Sequence, residues 1–170
     1  MEQDKTRPVI RLNKIVIVHE TDINPDMSVL GRYSEEPGPD DRTIDREAIG
    51  HMGPHEFRYF VAAMSGKETG NPDSVEQDYR RVEALNNGEW YSMGIWAQAE
   101  VSYADGTRGI RCIERLRSGG LWGIASDDDS GTITEAENEQ LDELYSHLEV
   151  FGIDLSNWED KVASAEHKMK

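Results

Sequence analysis

Hydrophobic positions change their period several times along the chain, and each period predicts a different element. Val9, Ile10 and Leu12, followed by the run Ile15 to Val18, make a β-branched stretch that predicts one strand ending near His19. Residues 21–54 are dense in Gly, Pro and Asp and lack sustained periodicity, so they read as an ordered loop pinned by Leu30, Tyr33 and Ile44. Phe57 to Met64 is apolar enough for burial but too short for its period to be assigned.

The strongest local pattern is a hairpin. Ile95, Ala97, Ala99, Val101 and Tyr103 alternate with Gly94, Trp96, Gln98, Glu100 and Ser102, which is the two-residue period of a strand. Asp105-Gly106 suits a two-residue turn. That turn would set Val101 opposite Ile110, Glu100 opposite Arg111, Ala99 opposite Cys112 and Trp96 opposite Arg115. Glu114 then falls on the apolar side, which requires either a bulge that rotates it outward or a buried partner. Beyond it, Leu121, Trp122 and Ile124 predict an anchored turn or a short strand among glycines.

Two helices follow from the 3.6-residue period. Val75, Tyr79, Val82 and Leu85 predict a helix over 75–87, with Ser74 and Gln77 as a capping box and Gly88 as its stop. Leu141, Leu144, Tyr145, Leu148 and Phe151 predict a second over 135–151, with Thr134 and Glu137 as its capping box and Gly152 as its stop. Trp158, Val162 and Ala165 mark a short third helix, and residues 161–170 are expected to fray. The expected fold is therefore α+β: a single domain over 1–170, with a small antiparallel β-sheet packed against two or three amphipathic helices.

Charge changes this picture more than composition does. The chain has 34 acids against 18 Lys and Arg, a net charge of −16. Residues 20–56 sum to −7 and residues 118–160 to −12, while residues 57–117 sum to only −1. No Lys or Arg interrupts the twelve acids from Asp127 to Asp160. Such a surface repels nucleic acid and attracts proteins with basic grooves. The candidate interaction surface comprises Asp127, Asp128 and Asp129, then Glu135, Glu139, Asp142, Glu143 and Glu149, and finally Asp154, Glu159 and Asp160.

Other chemistry finds little support in the sequence. The single cysteine, Cys112, excludes an intrachain disulfide and reads as a small buried hydrophobe. His51 and His55 with Glu47 and Glu56 form the one local His/acid cluster, but Gly53-Pro54 between the histidines disfavours a shared helical face. Asp127-Asp128-Asp129-Ser130-Gly131 is rich in oxygen ligands, yet an EF-hand register started there puts Thr132 at the glycine position and Asn138 at the bidentate glutamate position. It reads instead as a solvated turn entering a helix N-terminus. His19 and His147 stand in no motif, and phosphate-binding glycine loops are absent. No catalytic residue, cofactor or metal is expected. The arginines of residues 108–117 predict a small positive face opposite the acidic one, balanced by Glu100 and stacking on Trp96, and no direct nucleic-acid binding. No apolar run is long enough for a membrane span and no leader pattern opens the chain, so a cytoplasmic location is expected.

The segments NPDMSVLGRYSEEPGPDDRTIDRE, EFRYF, VEQDYRRVEALNNGEW and SGGLWGIASDDD together resemble a family of short, acidic, uncharacterised proteins of bacterial mobile elements and phages. The resemblance covers Asn24 to Phe151. It implies no reaction and no catalytic residues. What it implies is a context in which such proteins adjust host nucleic-acid machinery. The sequence thus points to a non-enzymatic interaction protein, with mimicry of DNA toward a basic, nucleic-acid-binding partner as its specific form. The rival readings are a scaffold that self-associates into homo-oligomers through Trp96 or Trp158, and a carboxylate- or metal-dependent enzyme.

Overall fold

A computed structural model of the chain describes residues 9–49, 56–105 and 109–170, with side chains for 10–45, 57–103 and 113–170. The fold is α+β, with two sheets and four α-helices among the described residues. Contacts divide the chain into two compact units, Met1–Asp22 with Ser92–Lys170, and Ile23–Tyr91.

In the first unit, β1 (Val9–Thr21) lies between β5 (Ser92–Asp105), antiparallel to it, and β8 (Glu166–Met169), parallel to it. On its other side β5 pairs with β6 (Gly109–Arg117) and β7 (Leu121–Ala125), which use successive parts of its length. α3 (Ser130–Val150) covers one face of this sheet, and Leu144 and Leu148 are fully buried there with Ile15, Ile95, Ala97 and Ala99. α4 (Trp158–Ala163) follows it. In the second unit, β2 (Gly31–Ser34), β4 (Glu56–Ala62) and β3 (Thr43–Ile49) form a sheet in that order, with α1 (Gly66–Thr69) and α2 (Ser74–Asn86). Phe60, Ala62, Tyr79 and Val82 make its core.

Several expectations change. The sheet is neither single nor wholly antiparallel, because the tail expected to fray is β8. Its pairing is completed by hydrogen bonds from the Lys170 amide to the His19 carbonyl (2.9 Å) and from the Thr21 amide to the Lys170 carbonyl (3.1 Å). The loop of residues 21–54 contains β2 and β3: both are short, and β3 is broken by a register shift between Asp45 and Ala48, so neither shows a period.

Both helix starts also move. Asp73, not Ser74, precedes α2, and Ser74 is buried, with its hydroxyl accepting from Thr69 Oγ1 (2.9 Å). α3 begins at Ser130 rather than after Thr134, because the Asp129 carboxylate accepts from the amides of Gly131 (2.8 Å) and Thr132 (3.1 Å). The expected stops hold: Gly88 and Gly152 take φ of 73° and 70° just past their helices.

The hairpin register is displaced by four residues. Glu100 faces Arg115, Ala99 faces Leu116 and Val101 faces Glu114, with a further shift between Tyr103 and Ala104. The displacement by four, being even, keeps the side chains of residues 113–117 on their expected faces, whereas beyond the further shift Ile110 pairs with Ala104, a displacement of three. Glu114 is exposed on the edge strand β6, so a buried partner is not what accommodates it. The side chain of Cys112 lies outside the described residues.

Candidate functional site

An α-helix advances 100° per residue, so α3 can be read as a wheel. Ala136, Gln140, Leu144 and Leu148 point to the sheet and are buried. Glu135, Glu139, Asp142 and Glu149 project from the opposite side and are exposed. Their spacing of four, three and seven residues keeps them on one stripe about 21 Å long. Among the described residues, none of the four has an ion-pair partner.

The remaining candidate acids divide by role. Asp129 caps α3, and its hydrogen bonds from the Thr132 hydroxyl and from the Thr132 and Gly131 amides hold its carboxyl below the usual range. Asp128 accepts from the Ala125 amide (2.9 Å), and Asp127 is exposed in the same turn. Glu143 leaves the stripe: its carboxylate accepts from the Gly119 amide (3.1 Å), beside Gln140, whose side-chain oxygen accepts from the Gly120 amide (2.8 Å). Together they hold the Ser118-Gly119-Gly120 crossover between β6 and β7. Asp154 lies in the turn after α3, where the Ser156 amide and hydroxyl and the nearby Arg11 lower its pKa. Glu159 and Asp160 are exposed in the first turn of α4. Asp127, Asp128 and Asp129 thus precede, and Asp154 follows, a helix about 32 Å long.

Two members of the apolar stripe expected on this helix face outward. Phe151 is 63% exposed beside Val150 at 85%, and Tyr145 is half-exposed with its ring edge-on to Trp158 (5.1 Å). Phe151 is the C-terminal cap of α3, the residue after the last helical one.

The face of this sheet away from α3 has the opposite charge. Val16, Val18 and Trp96 are buried there under Lys14, Arg115, Arg117, Lys168 and Lys170, with Lys170 Nζ 4.7 Å from the Trp96 ring centroid and the Arg117 guanidinium at 5.7 Å. Glu166 pairs with Lys14 and Lys168, Glu100 with Arg115, and Glu20 accepts from the Trp96 indole. Trp96, expected as an exposed self-association surface, is only 5% exposed because these long stems cover it, and Trp158 is partly buried against the core.

One cluster was not visible in the sequence. On the α3 side, Glu137 Oε1 lies 2.8 Å from His19 Nε2 and 3.3 Å from His167 Nδ1. His19 and Glu137 are mostly buried, and His167 is half-exposed on β8. Parallel pairing of Ile17 with His167 puts the two histidines diagonally on one face. His147, the other isolated histidine, has Glu143 beside it at 3.8 Å. His51 and His55, with the side chains of Glu47 and Glu56, lie outside the described residues.

No helix among the described residues is long and apolar enough to cross a membrane. Comparison with protein-family models, with curated proteins and with solved structures finds no match in any of the three.

Proposed function

We propose that the protein is a non-enzymatic interaction protein that docks the outer face of α3 onto a basic surface of a partner protein, in the manner of a short nucleic-acid mimic. The observation that carries this reading is the stripe Glu135, Glu139, Asp142 and Glu149, which is exposed, without an ion-pair partner among the described residues, and directly opposite the buried side of the helix.

Solubility alone is a poorer account. Glu149 occupies the last turn of α3, where the helix dipole disfavours an anion. The four acids also repel one another, whereas acids serving only hydration could alternate with Lys as i,i+4 pairs. Exposed Val150, next to Glu149 in the chain, adds an apolar contact of the kind that anchors interfaces. The charges of the stripe are spaced about 7 Å apart on average, against about 3.4 Å along a single DNA strand, so it is a sparser imitation of one edge of a duplex rather than of both. A nucleic-acid-binding partner in the cytoplasm fits the mobile-element context that the sequence resemblance implies.

The test is capture from the native host by the immobilised chain, with elution by duplex DNA. The expected result is a basic nucleic-acid-binding protein that DNA displaces, that half-molar salt releases, and that Glu139→Lys/Asp142→Lys fails to capture. Glu143 is left out of this variant because its carboxylate holds the Gly119 amide. A partner retained by the variant and insensitive to salt sinks the reading. Recovery of further copies of the chain alone would reassign the stripe to self-association with the cationic sheet face.

A further inference from the structure

We propose that His19, Glu137 and His167 form a site for a zinc-class divalent cation that fastens the C-terminal strand to the body of its unit. The three residues come from β1, α3 and β8, and one ligand atom from each lies within 4.8 Å of the other two. Two imidazoles and a carboxylate are a donor set suited to zinc and its borderline neighbours, and unlike the all-oxygen sets that magnesium and calcium prefer.

The spacing is close to what tetrahedral coordination needs. Zinc bonds of about 2.0–2.2 Å put ligand atoms roughly 3.3–3.5 Å apart around the ion. His167 Nδ1 to Glu137 Oε1 is already 3.3 Å, and His19 Nε2 to the same oxygen is 2.8 Å. Opening the shorter contact by about half an ångström is a side-chain adjustment on the scale of a ligand bond. His167 can turn to close the histidine pair, since it is 57% exposed on an edge strand.

His167 Nδ1 approaches the same carboxylate oxygen as His19 Nε2, so three atoms able to bind a cation, two imidazole nitrogens and one carboxylate oxygen, converge from three elements. The main chain around that point is held as well, because the carbonyl of His19 accepts from the Lys170 amide. Three protein ligands leave a fourth position to water.

Binding there ties β8 to β1 and α3. Glu137 lies on the sheet-facing flank of its helix, so the site is separate from the acidic stripe and does not depend on its role.

The full chain is titrated with Zn²⁺ by calorimetry and with Co²⁺ by visible absorption. One equivalent is expected to bind, with the d–d bands of a low-symmetry N/O site and a rise in Tm. His167→Ala or Glu137→Gln should weaken binding by at least about tenfold. His167→Ala changes only an exposed edge position, so its circular dichroism should match the parent. The variants His147→Ala and His51→Ala/His55→Ala should bind as the parent does. No saturable Zn²⁺ or Co²⁺ binding overturns the proposal. So does binding that survives His167→Ala, binding that disappears in His51→Ala/His55→Ala, or equal affinity for Mg²⁺, which would mark a diffuse acidic surface.

Discussion

If the outer acids of α3 serve a partner, removing one should stabilise the free protein. Glu139 is the informative position. Glu135 precedes it by four residues, and Asp142 and Glu143 follow it by three and four, so it takes part in three like-charge pairs on one helix surface. Each such pair destabilises a helix by about 0.2–0.5 kcal/mol. Glu139→Gln keeps the shape and helix preference of the side chain while removing all three repulsions. The expected gain is about 0.6–1.5 kcal/mol at low salt, or roughly 2–5 °C in Tm for a chain of this size. At 1 M salt the Debye length contracts to about 3 Å, and the gain should nearly vanish. Thermal unfolding followed by circular dichroism at 20 mM and 1 M NaCl measures both quantities. A loss of stability in Glu139→Gln, or a gain that persists in high salt, would refute the reasoning, because it would mean that local contacts rather than an unneutralised field govern this carboxylate. The same experiment separates acids that carry a surface from acids that carry the fold: Glu143→Gln weakens its acceptor for the Gly119 amide and should not show the same gain.

Three further outcomes test the fold around the site. Gln140→Ala removes a buried side chain and leaves the partly buried Gly120 amide without its acceptor, and should cost about 1–3 kcal/mol in urea denaturation, with a neutral result refuting that role. Deleting residues 166–170 removes β8 and its two terminal hydrogen bonds, which alone contribute about 1–3 kcal/mol, so the truncated chain should melt earlier and its β1 amides should exchange faster. Burial pushes the Tyr33 phenol up to about 12, while Asn86 Nδ2 donates to its oxygen at 2.8 Å. A phenol whose folded pKa is raised stabilises fully below its unfolded value near 10, and that contribution is lost as pH climbs from about 10 to 12. Tyrosinate absorption should therefore show one group ionising late, and Tyr33→Phe should remove it.

Local rules accounted for elements whose cause is local. The β-branched run of β1, the alternation of β5 and the glycine stops after α2 and α3 depend on side-chain period and backbone freedom, and both can be read from neighbouring residues. The same holds for the acids of α3, since helical spacing alone places Glu135, Glu139, Asp142 and Glu149 together. Capping was less legible because several residues near each start were competent, and tertiary contacts chose among them: Ser74 was taken into the interior, leaving Asp73 before α2, while Asp129 reached the open amides of α3 ahead of Thr134.

What only the tertiary structure decided is which distant segments meet. β8 is four exposed residues with no pattern of its own, and it becomes a strand because β1 offers an open edge. β2 and β3 gain their identity from β4 in the same way. The meeting of His19, Glu137 and His167 follows from the β1–β8 pairing and the seating of α3, across 118 residues between His19 and Glu137 and 30 more to His167. Sequence period reports which face of an element is apolar. It carries no record of the partner that covers that face, because burial and hydrogen bonding between strands are satisfied by geometry rather than by any residue code.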